Sequence, residues 1–279
     1  MAREISKGTC VFCDRELSKP VMTNHLKSCK QRIAITETAS YKKLNKTKLF
    51  HLVVEGRYLP MYWMHLEVPA KVTLADLDSF LRDTWLECCY HLSAFRIDGV
   101  SYKSHLDPEY NDAVANDDIQ SETHDQFLDD IQAQIAETSP PERVADFMQF
   151  LREQSSLSPY KPIRERSMAA ELGKILKPGL KFTYVYDFGS STELVLKVMD
   201  ECEGEARGRG KKAIKIMARN EPPTIPCEIC GQPATAIYSG WDDYDKWLCK
   251  VCGQKQKIRE WLPVVNSPRV GVCAYTGEG

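Results

Sequence analysis

The chain has 279 residues, 43% of them hydrophobic, and a formal net charge of −2 at pH 7. That is enough apolar material for a sizeable core, and too little positive charge for the whole protein to coat nucleic acid as a polycation. No apolar run reaches the length of a membrane helix and the N-terminus lacks a signal-peptide core. A cytoplasmic, reducing setting is therefore expected, in which eleven cysteines favour metal over disulfides.

Residues 1–32 contain Cys10-x2-Cys13 and, eleven residues on, His25-x3-Cys29. This is the ligand spacing of a zinc finger, with Cys in place of the last His. Thr23, Asn24 and His25 read as a helix start that puts His25 and Cys29 one turn apart on one face. So small a unit needs the metal to fold. Lys19, Lys27, Lys30 and Arg32 give it a basic face, suited either to phosphate or to a protein contact. Residues 1–50 as a whole carry eleven Lys and Arg against four Asp and Glu.

Residues 33–48 read as a polar, Lys-rich linker. Two β-rich runs follow, 49–56 and 61–68, with Phe50, Leu52 and Val54 on one face of the first and Met64, Leu66 and Val68 on one face of the second. Thr73 is placed to cap a helix running to Trp85. Residues 91–98 read as a third strand ending in a turn at Asp98-Gly99. Hairpin, helix, strand is the order of a β-grasp-like half-domain.

Residues 107–160 break that pattern as an acidic helical insertion. Helical stretches are expected near 121–136 and 141–154, and positions 111–153 hold eleven acids against Arg143 and Arg152. A further helix is expected over 164–176, then a hairpin from 180–188 and 192–199, and a strand at 213–219. Between the last two lies a basic glycine-rich loop with Arg207 and Arg209; no helix follows to make it a phosphate loop.

The C-terminal region, 221–279, holds the strongest signal. Cys227-x2-Cys230 and Cys249-x2-Cys252 stand eighteen residues apart, the spacing of a four-thiolate zinc site. Such a site closes the tetrahedron and is structural. The tail after it is apolar and turn-rich and should pack back on the protein.

Other reactive residues read as ordinary. His51 and His65 are expected as isolated surface or half-buried histidines and His91 as a packed core histidine. Cys88 and Cys89, being adjacent, make a poor metal pair; Cys202 and Cys273 read as simple buried thiols. Asp187 and Glu193 flank a turn, where carboxylates usually cap amides. No Ser-His-Asp signature, Walker loop or HExxH motif occurs, so an enzyme is not the leading idea.

Several short motifs together carry a resemblance: the Leu52-to-Val68 hairpin, Leu74-Ala-Asp-Leu77, Trp85, His91-Leu92-x2-Phe95, and Tyr184-x-Tyr186-Asp187-Phe188-Gly189. In these, residues 49–219 resemble the plasmid pRiA4b open-reading-frame-three-like family, an α+β domain found in bacteria, archaea and mobile elements. The whole chain further resembles a bacterial subgroup with a zinc finger before that domain and a cysteine module and tail after it. Many members follow Asp-Phe-Gly with Asp, Trp and His; here Ser190-Ser-Thr-Glu193-Leu stands instead, so no role for those polar residues carries over.

The expectation is thus an α+β protein: a finger at 1–32, a linker at 33–48, a central domain at 49–220 and a four-cysteine module at 221–279. Two structural zinc ions are expected. The leading role is a binding module that contacts DNA or RNA through its basic finger and loop; the alternative is a protein adaptor using the acidic helices and zinc modules.

Overall fold

The structure is a computed structural model describing residues 6–40, 46–106, 132, 144–145, 164–238, 246–256 and 261–277. Its centre is one mixed sheet of ten strands, ordered β2-β1-β10-β4-β3-β9-β8-β5-β6-β7. In chain order these are β1 (Lys7–Cys10), β2 (Glu16–Ser18), β3 (Lys46–Gly56), β4 (Trp63–Pro69), β5 (Ser93–Ile97), β6 (Val100–Lys103), β7 (Arg164–Ser167), β8 (Lys181–Tyr186), β9 (Thr192–Glu205) and β10 (Lys215–Asn220). Among the described strands only β6 and β7 run parallel. The α+β class therefore holds, with sheet dominating.

The β3–β4 hairpin shows why the sheet is covered on both sides. Its register sets Phe50 against Val68 and Leu52 against Leu66. Strand alternation then sends Phe50, Leu52, Val54, Met64 and Leu66 to the main core. On that face lie α3 (Leu74–Leu81) and a π-helical turn over Arg82–Leu86. Thr73 starts α3 with a capping box: its hydroxyl accepts from the Asp76 N–H at 3.1 Å, and Asp76 accepts from the Thr73 N–H at 2.9 Å.

His51, Val53, Glu55, Trp63 and His65 alternate to the opposite face. The N-terminal segment, expected from its spacing to be a finger and so called below, covers it with α1 (Lys19–Ser28), which buries Met22 and Leu26 beside Trp63, Met217 and Ala218. The finger is thus joined to the domain: β1 pairs with β10, Cys10 standing opposite Ala218.

A second, three-stranded sheet, β12-β11-β13, is built from β11 (Ala236–Tyr238), β12 (Lys246–Leu248) and β13 (Leu262–Pro263). It carries α4 (Lys250–Lys255). The tail packs back on the main core through Val270, as expected from its apolar composition.

Three secondary-structure expectations differ from what is found: α1 begins at Lys19, with Ser18 as its N-cap residue, rather than at Thr23. Residues Lys30–Ser40 form α2 where a linker was expected from residue 33. Residues 164–176 are not a helix: Arg164–Ser167 pairs with β6, and only Leu172–Lys174 makes a short 3-10 turn. The helix-forming run around Met168–Leu172 is overridden by tertiary hydrogen bonds, since Leu74 and Ala75 donate to the carbonyls of Ala170 and Met168. The helices expected at 121–136 and 141–154 fall almost wholly outside the described residues. Among the described residues no helix is long and apolar enough to cross a membrane.

Candidate metal centres

Three groups of four Cys and His residues each bring their ligand atoms within 4.8 Å of one another among the described residues. The first is Cys10, Cys13, His25 and Cys29. The Cys10–Cys13 knuckle turns through Asp14, whose φ is 56°, with the Asp14 N–H donating to the Cys10 carbonyl at 2.9 Å. Helix α1 then delivers His25, whose Nε2 lies 3.2 Å from the Cys13 sulfur. Burial pushes the Cys10 thiol up to about 11. Burial would also raise Cys29, but the backbone N–H of Arg32 and the neighbouring thiols hold it below its ordinary value. Without a cation the cluster must keep part of its protons; three thiols and one imidazole fit a borderline-soft divalent ion that would displace them.

The second group is Cys227, Cys230, Cys249 and Cys252. Here Gly231, with φ 73°, turns the first knuckle in the place of Asp14, its N–H donating to the Cys227 carbonyl at 2.9 Å. Cys249 is the N-cap of α4, and its sulfur accepts from the Cys252 N–H at 3.5 Å. The backbone N–H of Cys249, with those of Cys230 and Ile229, holds the Cys227 thiol down at about 6, whereas Cys252 is pushed up to about 12, first by its hydrogen bond with Cys230. Amides aimed at sulfur stabilise thiolate, the form that binds metal. Four thiols in this arrangement fit a closed tetrahedral site.

The third group, Cys88, Cys89, His91 and Cys273, escaped the sequence reading. Cys89 and Cys273 sulfurs stand 3.8 Å apart, and Cys273 sulfur is 3.6 Å from His91 Nε2. His91 is half-exposed rather than a core residue, and Cys273 is exposed rather than buried, as is Cys202. Adjacent cysteines do converge here, because the chain leaves the π-helical turn sharply and reverses at Tyr90, whose φ is 56°.

The loop that carries these residues is fixed from below. Tyr186 Oη accepts from the Cys88 and His91 N–H groups at 3.4 and 3.3 Å and donates to Glu87 at 2.8 Å. Arg82 ties Glu87, Asp78, Ser93 and the His91 carbonyl together. From the tail comes Arg269, fully buried, donating to Asp187 Oδ2 at 2.8 Å and to the Cys88 sulfur at 3.3 Å. Asp187 Oδ1 accepts from the Gly189 and Ser190 amides, the capping use expected of it. Burial alone would raise its carboxyl, but Arg269 and those amides hold it below its ordinary value.

The paired strand histidines are also unlike the expectation. His51 and His65 are buried beneath the finger and bond to each other at 2.8 Å. Burial, then the positive charges of Arg32 and Lys27, push His51 down to about 4; burial and His51 push His65 down to about 3. Both are neutral in the fold.

The residues expected to meet nucleic acid are mostly engaged internally. Lys19 pairs with Glu55, Lys27 with Asp200 at 3.2 Å, and Arg32 with Glu67 at 3.3 Å. Arg207 pairs with Glu205 at 3.3 Å, while Lys30 and Arg209 lie on the exposed surface.

A predominantly sheet α+β protein bearing clusters of metal-ligand composition is the class these features define. A family model described as plasmid pRiA4b ORF-3-like protein matches residues 56–232, more than half of the chain, and the chain belongs to that family. A comparison with curated proteins found no match. Among solved structures, the crystal structure of a protein of unknown function, MM3350 from Methanosarcina mazei Go1, is similar at 14% identity and a TM-score of 0.37, over 67% of this chain and 75% of that one.

Proposed function

We propose that this is a non-enzymatic zinc protein whose two terminal clusters each hold a structural ion and whose surface serves as a binding module for a protein partner. The observation that carries it is the donor count: each terminal cluster supplies four ligand atoms within 4.8 Å. Four protein donors fill a tetrahedral zinc site, so no coordination position is left for a reacting molecule. Zinc at Cys10, Cys13, His25 and Cys29 would fasten the finger over one face of the sheet. Zinc at Cys227, Cys230, Cys249 and Cys252 would fasten the three-stranded sheet.

A protein ligand is favoured over nucleic acid because three of the four basic residues at the N-terminal cluster are already ion-paired, Lys19 and Arg32 partly buried and Lys27 about half-exposed. Phosphate binding draws on free cations, and Lys19, Lys27 and Arg32 already face carboxylates of the sheet. Lys30 and Arg209 are exposed, as are Lys27 and Arg207, each of which meets a carboxylate. Fluorescence polarisation of labelled DNA and RNA with the full chain tests this. The expected result is no binding that weakens with salt. Salt-sensitive binding lost in Lys30→Glu or Arg209→Glu would restore the nucleic-acid reading.

A further inference from the structure

We propose that Cys88, Cys89, His91 and Cys273 form a third metal site, for zinc or a similar borderline-soft divalent cation, which clasps the C-terminal tail to the π-helical corner of the main domain. Three thiols and one imidazole have their ligand atoms within 4.8 Å, the same donor set as the finger. Three ligands come from one loop and the fourth from 182 residues downstream of His91, so an ion here ties distant parts of the chain.

Four observations separate this from a chance meeting of surface thiols. First, the backbone is held in unfavourable conformations there. Among the described residues, five non-glycine residues have positive φ, and three of them, Tyr90, Asp187 and Cys273, are at this cluster or in contact with it. Such strain persists only where surrounding contacts enforce it, and it concentrates at functional sites. Second, the loop follows a π-helical turn, a feature also frequent at such sites. Third, the outer contacts suit a thiolate centre. Fully buried Arg269 donates through Nη2 to both the Cys88 sulfur and Asp187, placing a cation where three thiolates around one divalent ion leave excess negative charge. Fourth, Tyr184, Tyr186 and Asp187 of the Tyr-x-Tyr-Asp-Phe-Gly motif all converge on the same corner: Tyr184 on Asp78, Tyr186 on the Cys88–His91 loop, and Asp187 on Arg269.

Two other uses of these residues fit less well. In a Cys-His-Asp proton relay the thiol and the carboxylate face opposite nitrogens of the imidazole. Here Cys273 sulfur and Asp187 Oδ2 both face Nε2, at 3.6 and 3.5 Å. The Asp187 carboxylate is engaged instead by Arg269 and the Gly189 and Ser190 amides. A Cys89–Cys273 disulfide would use two sulfurs and leave Cys88 and His91 unexplained, with the sulfurs now 3.8 Å apart.

The third site differs from the terminal two in access. Cys89 and Cys273 are exposed, whereas the finger buries Cys10 and Cys29 and the four-cysteine group buries Cys227 and Cys252. A chelator reaches exposed thiolates first, so this ion should leave before the others. The experiment is a metal count by mass spectrometry on the reduced full chain, with timed release to a colorimetric chelator. The wild type is expected to hold about three zinc ions and to release about one of them in a distinct fast phase. Cys273→Ala is expected to hold about two and to lose the fast phase, while a control, Cys202→Ala, keeps both. Should Cys273→Ala fold poorly, the fast phase in the unaltered chain and a thiolate-to-cobalt charge-transfer band on the third equivalent of added cobalt decide the matter. A wild-type count of two with no fast phase, a Cys273→Ala count equal to wild type, or a Cys89–Cys273 disulfide in protein purified without reductant but with zinc present would overturn the proposal. These failures are distinct from failure of the terminal sites, which would appear as an unchanged metal count in Cys10→Ser or Cys227→Ser.

Discussion

The two ends of this chain reach the same donor number by opposite routes. The finger shares its apolar core with the main sheet, Met22 and Leu26 packing on Trp63, Met217 and Ala218. Its β1 strand is a member of the ten-stranded sheet. The C-terminal unit has its own three-stranded sheet, and its buried cluster is little more than the ligands themselves: Cys227, Cys252 and Leu248, with Cys249 beside them. An apolar core that small cannot offset the entropy of ordering the chain. Metal should therefore be one support among several for the finger and the larger support for the C-terminal unit, which otherwise leans on Trp247 packed against the main core and on buried Ala236 and Ile237.

The largest expected effect tests that difference directly. Cys227→Ser should abolish hydrogen-exchange protection in Ala236–Tyr238 and Lys250–Lys255, since structural zinc contributes on the order of 10 kcal/mol to such units. Cys10→Ser should leave β1 partly protected through its pairing with β10. Equal loss at both ends would break the comparison.

Next in size is Trp63→Ala. Trp63 is fully buried between sheet and finger, its Nε1 donating to Ser6 Oγ at 2.8 Å. Truncation should cost about 3–5 kcal/mol in denaturant unfolding and raise exchange in residues 8–28, with 236–256 unchanged. A response shared by the C-terminal unit would show that the two ends are coupled.

Acid should separate them too. Folding depresses the His51 and His65 pKa values to about 4 and about 3. Below the unfolded value of about 6.5 the unfolded chain therefore binds more protons. The stabilisation is fully present above that pH and is lost as pH falls toward 4, by on the order of 3 kcal/mol for each histidine. The double variant His51→Leu/His65→Leu should flatten this part of the pH profile relative to wild type. Protonation of metal ligands acts on both proteins alike, so an unchanged difference between them would contradict the buried neutral pair.

The smallest effect belongs to the finger's outer ion pair. Lys27 and Asp200 are both about half-exposed, at 48% and 52%. Lys27→Ala should therefore cost less than about 1 kcal/mol in thermal unfolding. A larger cost would mean that the finger is held by charge more than by Trp63.

Local signals carried much of this fold into view. The apolar alternation of β3 and β4, the Thr73 cap and the Asp98-Gly99 turn are short-range features, and each is found where its residues stand. The two terminal clusters were legible because their ligands recur at short spacing. The third was not: Cys273 reaches it only through the packing of the tail, and two adjacent cysteines gave no spacing signal. The same blindness to distant partners misread 164–167 as helix, since its parallel pairing with β6 follows a long excursion of the chain. The histidine pair reads as isolated surface or half-buried residues because nothing in β3 or β4 shows that α1 will cover that side of the sheet. A basic finger suggested phosphate because the carboxylates that meet Lys19, Lys27 and Arg32 lie far along the chain.

Zinc-edge X-ray absorption on the reduced full chain addresses the closed character of these centres most directly. The account predicts a first shell of sulfur and imidazole nitrogen alone, with zinc–sulfur distances of about 2.3 Å and four donors per ion. A water oxygen in that shell, or a chain that is fully ordered with no bound metal, would contradict it.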